Sequence, residues 1–359
     1  MNIQENVNIC DYCTLKVGGI FSYFASIDSI EDLEQALQYA KENSLKVFII
    51  GGGSNMVFPD GTLNVLALKM NIQGFEITKD EDEYTEIKIG AGELWDSVVA
   101  RTVALGLSGI EALSAIPGTA GATPVQNVGA YGQEIKNVLI SVEVYDIENN
   151  KIKILSNTEC VFTYRDSIFK NEAKGKYIIT AITLKLLNTR SLQNKIQTEA
   201  YIPNYPGVKM YFNEKGITDP SLLQIREAII HIRSTKLPDP KIIANVGSFF
   251  KNPIITKEEF ENIESRIGQT YAEIPHFDAG YNISTRQDLV KIPAGWLIEN
   301  AGLKGKSFGP ISTYVHNAIV LVNDGSACFA DVVHARDEII ITVHQKFGIT
   351  LECEPEFVK

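Results

Sequence analysis

The chain lacks the features that mark most nucleic-acid-binding and membrane-spanning proteins. Its 359 residues carry 33 Lys and Arg against 44 Asp and Glu, which gives a net charge of −11. This acidic balance provides no general attraction to nucleic acid or to an anionic membrane surface. No apolar run approaches the roughly 20 residues that a transmembrane helix needs. We therefore expect no nucleic-acid partner and no membrane partner, and an anionic ligand needs a locally built site.

Metal-binding and secretory signals are also missing. The five cysteines include Cys10 and Cys13 at CxxC spacing, but no second CxxC and no nearby histidine completes a zinc or redox motif. The five histidines show neither HxxxH nor HExxH spacing. The N-terminal residues have no basic start followed by an apolar segment, unlike a secretory signal. We expect no metal, ordinary reduced thiols and a cytoplasmic location.

The hydrophobic pattern predicts helices and strands in mixed order, which indicates an α+β protein rather than a doubly wound parallel sheet. Ser29 with Asp32 resembles a capping box ahead of a helix, and Thr256 with Glu259 opens another that Gly268 ends. Other helices are expected at about 93–107, from 222 to before Pro238, at 293–301 and at 329–347. Strands are expected at 46–50, 65–70, 84–92, 177–186, 317–322 and 349–357, with a hairpin over 140–156.

Two glycine-rich loops lie outside the predicted helices and strands. GGGSN (51–55) follows a buried strand, where consecutive backbone N–H groups can form a nest for phosphate oxygens. Residues 117–132, PGTAGATPVQNVGAYG, contain four glycines and no charged residue. That composition differs from a polar surface linker and indicates a backbone that approaches something closely.

Neither loop matches a standard phosphate-binding fingerprint. The residues after GGGSN do not begin a periodic helix, as a Rossmann loop would, and the chain has no GxxxxGK[ST] motif. Taken alone, GGGSN is better explained as an ordinary turn. Two such loops in one acidic chain favour a diphosphate held by backbone donors rather than by lysines.

A set of motifs in a fixed order resembles one enzyme family. The motifs are GGGSN (51–55), GAGE (90–93), IPGTAGATPVQNVGAYG (116–132), YRDSIFK (164–170), TKLPDP (235–240), GSFFKNP (247–253), AGWLIE (294–299) and EPE (354–356). Together they resemble the UDP-N-acetylenolpyruvoylglucosamine reductases, or UDP-N-acetylmuramate dehydrogenases, over nearly the whole chain. The segment NYPGVKMYF (204–212) and the long stretch before AGWLIE resemble the longer of the family's two forms.

The resemblance implies an α+β fold. Its FAD-binding domain is of the vanillyl-alcohol-oxidase (PCMH) type, with two α+β subdomains, and a separate α+β domain binds the substrate. We expect an N-terminal segment at 1–16, the FAD-binding domain at 17–189 and the substrate-binding domain at 205–359. We also expect a monomer.

The resemblance further implies a reductase that binds FAD noncovalently and uses NADPH as co-substrate. The substrate is the enolpyruvyl ether of UDP-N-acetylglucosamine, and the product, UDP-N-acetylmuramate, is a peptidoglycan precursor. Hydride delivered to C3 of the enolpyruvyl group leaves negative charge at C2 and on the adjacent carboxylate. That charge must be stabilised, and C2 must be protonated.

Three residues match the family's catalytic positions. Arg165 matches the arginine that stabilises the developing charge, a task that suits a fixed guanidinium. Glu356 matches the glutamate that acts with it on the substrate carboxylate, and Ser248 matches the proton donor to C2. From local sequence alone, a surface Arg165, an outward-facing Glu356 and a turn-capping Ser248 are each the simpler interpretation. The Phe249–Phe250 pair is expected to anchor the Ser248 loop in the core.

The resemblance also implies residues for the two ligands. For FAD they are Gly51, Gly52, Gly53, Ser54, Asn55, Pro117, Gly118, Gly121, Gln126, Asn127, Gly129, Ala130 and Tyr131. Lys236 and Asn252 match positions that hold the UDP diphosphate and nearby groups. Tyr205 aligns with a tyrosine that closes over the substrate, with Tyr211 as a rival, and Asn317 stands where a substrate-contacting amide is usual.

Two other functions stay open at this point. A flavin oxidase on the same scaffold often tethers FAD through His or Cys, and GGGSN offers neither residue. A non-catalytic flavin- or nucleotide-sugar-binding protein has no use for Arg165, Ser248 and Glu356 together. The reductase is therefore the leading hypothesis.

Overall fold

The computed structural model describes residues 1–189, 203, 205–268, 270, 273–282 and 286–359. The chain divides into two compact units, each assembled from three stretches. The first unit comprises Met1–Val7, Phe21–Gly53 and Thr62–Ser234, and the second comprises Asn8–Ile20, Ser54–Gly61 and Thr235–Lys359. The domain boundaries expected from the sequence stay a prediction, and residues 190–202 between the two expected domains lie outside the described residues.

Helices and strands follow each other in mixed order, as an α+β fold requires. The helices are α1 Ile30–Glu42, α2 Trp95–Ala104, α3 Pro206–Lys215, α4 Leu222–Lys236, α5 Lys257–Ile267, α6 Ala294–Asn300 and α7 Phe329–Phe347. The strands are β1 Ile3–Asn8, β2 Ile20–Ile27, β3 Lys46–Ile50, β4 Met56–Val57, β5 Thr62–Met70, β6 Phe75–Asp80, β7 Tyr84–Gly90, β8 Leu107–Ser108, β9 Gly129–Ala130, β10 Gln133–Glu134, β11 Leu139–Asp146, β12 Lys151–Ser156, β13 Tyr177–Asn188, β14 Ala244–Ser248, β15 Ile254–Thr256, β16 Phe277–Asn282, β17 Gln287–Lys291, β18 Ile311–Tyr314, β19 Asn317–Asn323 and β20 Glu356–Phe357.

One sheet of the first unit has the strand order β1-β2-β5-β3, with β3 and β5 parallel. The apolar face of α1 packs on this sheet. The hydroxyl of Ser29 accepts a hydrogen bond from Asp32 N at 3.1 Å, which confirms the predicted N-cap. The reciprocal bond of the capping box goes instead to Asp28 N, which donates to the Asp32 carboxylate at 3.4 Å.

The other large sheet of the first unit has the order β12-β11-β13-β7-β6, and β8 adds to β13. The predicted hairpin is confirmed, with β11 and β12 joined through residues 147–150. The predicted helix at 93–107 is shorter and forms α2. Trp95 at its start is 1% exposed, and its indole N–H donates to Leu113 O at 3.1 Å.

Helices α3 and α4 form a separate apolar layer in which Val208 and Phe212 pack with Ile225 and Ile229. The sequence did not predict α3, because a single i, i+4 apolar pair is a weak helical signal. Pro206 occupies the first helical position, and Gly216 ends the helix with a φ of +65°.

The second unit contains the sheets β14-β19-β18 and β15-β17-β16 and the parallel pair β20-β4. Helices α5, α6 and α7 share one apolar core with these strands. The capping box predicted at α5 is confirmed, since Thr256 and Glu259 exchange both hydrogen bonds, and Gly268 ends the helix as expected. Such a cap stabilises a helix by about 1 kcal/mol.

The predicted strand at 349–357 is wrong for most of its length. Only Glu356–Phe357 forms a strand, and Cys353 makes an isolated bridge with Phe250. The alternating apolar pattern arises because Ile349 and Leu351 enter the core of the second unit from irregular backbone. Among the described residues, no helix is both long enough and apolar enough to cross a bilayer.

Candidate active site

The loop after β7 and the glycine-rich segment 117–132 are joined by backbone hydrogen bonds in the first unit. Gly121 N donates to Ala91 O at 2.9 Å, and Ala120 N donates to Glu93 O at 2.8 Å. A Cβ atom on Gly121 would lie 2.6 Å from the Cβ of Ala91. Two motifs some 25 residues apart in sequence are therefore in direct contact. The contact is so close that only glycine fits at position 121.

The loop after β3 packs on the same segment, backbone against backbone. A Cβ atom on Gly52 would lie 2.7 Å from the Cα of Gly118, and one on Gly51 would lie 2.9 Å from the hydroxyl of Thr119. Gly53 follows with a φ of +60°, which favours glycine. The loops thus pack main chain against main chain, with no room for side chains between them.

Lys69 makes a contact with the loop after β3 that the sequence did not predict. It lies at the end of β5, opposite Ile50 of β3, and its ammonium group donates to Gly51 O. Burial lowers the pKa of Lys69 from its ordinary value. The expectation that the loops depend on backbone donors and on no lysine is therefore incomplete, because the Lys69 ammonium group hydrogen-bonds to the first loop. Only the parallel pairing of β3 with β5 reveals this, because Lys69 occupies an ordinary strand position.

Asn127 is fully buried, and its side chain serves the protein's own backbone. Its amide nitrogen donates to Thr163 O at 2.9 Å, and its amide oxygen accepts from Lys136 N at 3.2 Å. Asn127 also has a φ of +46°, which Asn adopts more readily than most residues. The amide thus holds the glycine-rich segment in a tight turn, and a ligand contact at this residue falls to its main chain.

Arg165 is attached to the same segment. Its guanidinium donates from Nη2 to Gly129 O at 2.8 Å, and a Cβ atom on Gly129 would lie 3.4 Å from Nη1. The carboxylate of the neighbouring Asp166 accepts hydrogen bonds from Ser167 N and Asn171 Nδ2. Arg165 has a φ of +56°, and such strained backbone is concentrated at functional sites.

The two candidate tyrosines occupy different environments. Tyr205 contacts Tyr131 edge-to-face with ring centroids 4.9 Å apart, whereas Tyr211 packs against His231 at 5.3 Å. Burial raises the pKa of Tyr131, and the charge of Arg233 acts against that change. Tyr205 is thus the tyrosine that lies against the glycine-rich segment, which favours it over Tyr211 without testing its role. Arg233 was not predicted from the sequence, although it lies one helical turn before Lys236.

A β-bulge positions Ser248 in the second unit. The pairing of β14 with β19 shifts register between Asn245 and Ser248. Between them, Gly247 has a φ of +73°, and its N–H donates to the Asn245 side chain at 2.8 Å. A Cβ atom on Gly247 would meet nothing within 4 Å, so glycine is required here by its backbone angle. Bulges commonly re-aim a side chain next to a functional site.

The Ser248 side chain is half-buried, and nothing in the described part of the chain hydrogen-bonds to its hydroxyl. The two residues that follow are anchors, as predicted. Phe249 and Phe250 are 0% and 1% exposed, with ring centroids 5.2 Å apart. The hydroxyl is therefore held at the edge of a rigid core and stays available to a ligand.

Glu356 lies in β20, and residues just before it contact the residues that follow Ser248. Glu356 N donates to Asn55 O at 3.0 Å, and the Asn55 amide donates to Glu354 O at 3.3 Å. Glu354 N in turn donates to Phe249 O at 3.0 Å. The second unit therefore brings together three motifs that are far apart in sequence, the end of GGGSN, GSFFKNP and EPE.

Two candidate substrate residues each lie beside the start of α6. The side-chain oxygen of Asn252 accepts a hydrogen bond from Ala294 N at 2.9 Å. A Cβ atom on Gly295 would lie 3.3 Å from the side-chain oxygen of Asn317. The motif AGWLIE thus gathers both amides, and its glycine leaves room for the second one.

The two units divide the predicted site residues between them, and their predicted roles stay predictions. The first unit contains Gly51, Gly52, Gly53, Pro117, Gly118, Gly121, Gln126, Asn127, Gly129, Ala130, Tyr131, Arg165 and Tyr205. The second unit contains Ser54, Asn55, Lys236, Ser248, Asn252, Asn317 and Glu356. Lys236 is the last residue of α4.

Two domain families match the sequence. Residues 21–156 match the FAD binding domain, and residues 239–358 match the C-terminal domain of UDP-N-acetylenolpyruvoylglucosamine reductase. The first match includes all three loops that meet in the first unit. The second includes Ser248, Asn252, Asn317 and Glu356.

Relatives that match over almost their whole length are named UDP-N-acetylenolpyruvoylglucosamine reductase. The chain is 39% identical over 354 residues to UDP-N-acetylenolpyruvoylglucosamine reductase from Flavobacterium johnsoniae, with 99% of each chain covered. It is 37% identical over 358 residues to the protein of that name from Bdellovibrio bacteriovorus, again with 99% of each covered. Among solved structures, UDP-N-acetylenolpyruvylglucosamine reductase from Thermus caldophilus matches with a TM-score of 0.66 at 22% identity and covers 100% of both chains. The structural match supports the predicted fold.

Proposed function

The chain belongs to the UDP-N-acetylenolpyruvoylglucosamine reductase family, and we propose that the residues described above carry out the family's reaction with NADPH as reductant. The enzyme is an FAD-dependent oxidoreductase. It reduces the enolpyruvyl ether of UDP-N-acetylglucosamine in peptidoglycan precursor synthesis.

The glycine-rich loops of the first unit fit FAD. Gly51, Gly52 and Gly118 leave no volume for side chains between the loops, so the surface that remains is main chain with little charge. A diphosphate is well held by such backbone N–H groups. We assign the cofactor to residues 51–55 and 117–131, with Lys69 supporting the first loop. Bound FAD supplies the hydride-carrying chemistry that connects NADPH to the substrate.

Ser248 is proposed to protonate C2 of the enolpyruvyl group. A hydroxyl is a weak acid, but the carbanion-like centre that it serves is a strong base. Placement of the donor therefore matters more than a tuned pKa. The bulge at Gly247 and the buried Phe249–Phe250 pair supply that placement, which supports the assignment.

Arg165 and Glu356 are proposed to act on the substrate carboxylate and the charge that develops beside it. The hydrogen bond from Arg165 to Gly129 O limits the movement of its guanidinium. A preorganised cation stabilises developing charge without reorganising during the reaction. The backbone of Glu356 is held by its pairing with β4.

Four residues are proposed to bind the substrate. Lys236 is a point charge suited to the diphosphate. Asn252 and Asn317 offer amides beside the start of α6, and Tyr205 closes over the sugar nucleotide. We further propose that the enzyme works as a cytoplasmic monomer.

The contact between the loop after β3 and the glycine-rich segment is the observation that carries this proposal. Purified protein should be yellow, or should become so with added FAD. NADPH should bleach it without oxygen, and the enolpyruvyl substrate should restore the colour with one equivalent of product. Protein that cannot take up FAD, or that reoxidises only with oxygen, contradicts the proposal.

A further inference from the structure

Asp96 connects three parts of the first unit. It is the second residue of α2, and its carboxylate makes a two-fold hydrogen bond with Arg226 of α4, at 2.6 and 2.9 Å. The same carboxylate accepts a hydrogen bond from Ala115 N at 2.6 Å. The Arg226 side chain is 12% exposed and the Asp96 side chain is 43% exposed, so the arginine is largely shielded from solvent while the carboxylate is partly open to it.

Ala115 stands at the entrance to the glycine-rich segment and has an unusual backbone. Its φ is +57°, a conformation that costs an L-residue with a Cβ atom free energy. Such a conformation persists only where the surroundings determine it. The hydrogen bond from Ala115 N to Asp96 is the contact that supplies this support.

The far end of the segment is held from the same helix. Tyr131 has a φ of +50°. Burial raises the pKa of its hydroxyl, and the charge of Arg233 on α4 acts against that change. Arg226 and Arg233 are seven residues apart on α4, so they point to one face of the helix. One helical face therefore reaches both ends of residues 115–131.

Electrostatics link the two ends. Burial opposes the ionisation of Asp96, but Arg226, the Ala115 N–H and Arg233 together lower the pKa of its carboxyl below the ordinary value. Burial also lowers the pKa of Arg233, and Tyr131 and Asp96 act against that change. Arg226 is therefore hydrogen-bonded to the Asp96 carboxylate, whereas Arg233 acts on the same group through its charge.

We propose that Asp96, with Arg226 and Arg233, forms a charge clamp that fixes the conformation of residues 115–131 for cofactor binding. Asp96 is a positioning residue in this scheme: it holds the segment that carries the candidate FAD contacts and touches no ligand itself. The inference rests on the proposed role of that segment in binding FAD. The simpler alternative is that the ion pair only ties α2 to α4.

Two substitutions separate the parts of the clamp. Asp96→Ala removes the charge and the acceptor of the Ala115 N–H, whereas Asp96→Asn keeps an acceptor of the same shape without the charge. Loss of a charged hydrogen-bond partner should weaken FAD binding by about 10- to 100-fold, with the Asn variant between the parent and the Ala variant. FAD affinity is measured by flavin fluorescence on full-length protein freed of its cofactor and then reconstituted.

Val98→Ala is the matched control. Val98 lies on α2 and is 2% exposed in the core, so its truncation destabilises the helix without touching the clamp. At equal loss of thermal stability, Val98→Ala should retain the parent's FAD affinity. Equal weakening by Val98→Ala and Asp96→Ala would show that the ion pair is only a tether, and unchanged affinity in Asp96→Ala would also overturn the proposal.

Amide hydrogen exchange tests the clamp independently of FAD. In cofactor-free protein, Asp96→Ala should speed exchange within residues 115–131 while the strands of the surrounding sheet stay protected. Uniform acceleration across the unit, or none within 115–131, contradicts the clamp. A parent protein that binds no FAD would instead contradict the proposed function and leave this measurement to decide the clamp.

Discussion

The two units present their candidate site residues in different ways. In the first unit, the neighbours of Gly51, Gly52 and Gly121 are so close that an added Cβ atom would overlap them. In the second, the Ser248 side chain is displayed by a bulge on a core of aromatic rings. We therefore expect substitutions that add atoms to disrupt the glycine loops of the first unit. In the second unit, we expect loss of the Ser248 hydroxyl to have the larger effect. Arg165 is the exception, a candidate catalytic side chain that is hydrogen-bonded to the main chain of the first unit.

The largest effect is expected from removing one atom in the second unit. Ser248→Ala should leave flavin reduction by NADPH near the normal rate, because that half-reaction needs no acid at C2. The second half, reoxidation by the enolpyruvyl substrate without oxygen, should slow by about 10²–10⁴-fold. Stopped-flow absorbance measures both halves, and Ser248→Cys should recover part of the loss. Equal slowing of both halves, or loss of FAD, would make the hydroxyl structural.

Arg165→Lys tests the exception in the first unit. Lysine keeps the charge but loses the planar group that bonds to Gly129 O. We expect the substrate half-reaction to fall by about 10²-fold, the scale for loss of a preorganised charge-stabilising donor. Flavin content and reduction by NADPH should change little. An unimpaired variant would return Arg165 to an ordinary surface role.

Gly52→Val adds atoms where the loops touch. A Cβ atom at this position would lie 2.7 Å from the Cα of Gly118, so the loops must separate. We expect protein that is largely free of flavin, measured by the ratio of flavin to protein absorbance. Ser54→Ala, which only removes atoms from the same motif, should retain much of its flavin. If Gly52→Val binds FAD normally, this loop is no more than a turn.

The smallest effect is expected at Gly247, where backbone angle can be separated from volume. Space is open around this residue, but its φ of +73° disfavours a side chain. Gly247→Ala should lower the free energy of unfolding by about 1–2 kcal/mol and slow the substrate half-reaction through Ser248. Gly247→Asn should be milder, because Asn tolerates this conformation better. Urea unfolding and stopped-flow rates compare the two, and equal losses would point to crowding instead of strain.

The sequence was informative wherever a structural signal is local. Capping residues located α1 and α5, and Gly268 marked the end of α5, because caps satisfy backbone groups within a few residues. The motifs in their order were enough to predict the family and the α+β fold. Local signals failed at 349–357, where apolar alternation reflected burial without strand pairing.

What only the tertiary structure decided is which residues support those motifs. The contact of Lys69 with Gly51 depends on a parallel strand register, and the Asp96–Arg226 pair joins residues 130 positions apart. A glycine in the sequence indicates backbone freedom but not its purpose. At Gly52 glycine permits a close contact, and at Gly247 it permits a positive φ. Only the neighbours from distant parts of the chain distinguish the two cases. Local sequence encodes conformation through short-range hydrogen bonds and sterics, whereas long-range contacts exist only once the chain has folded.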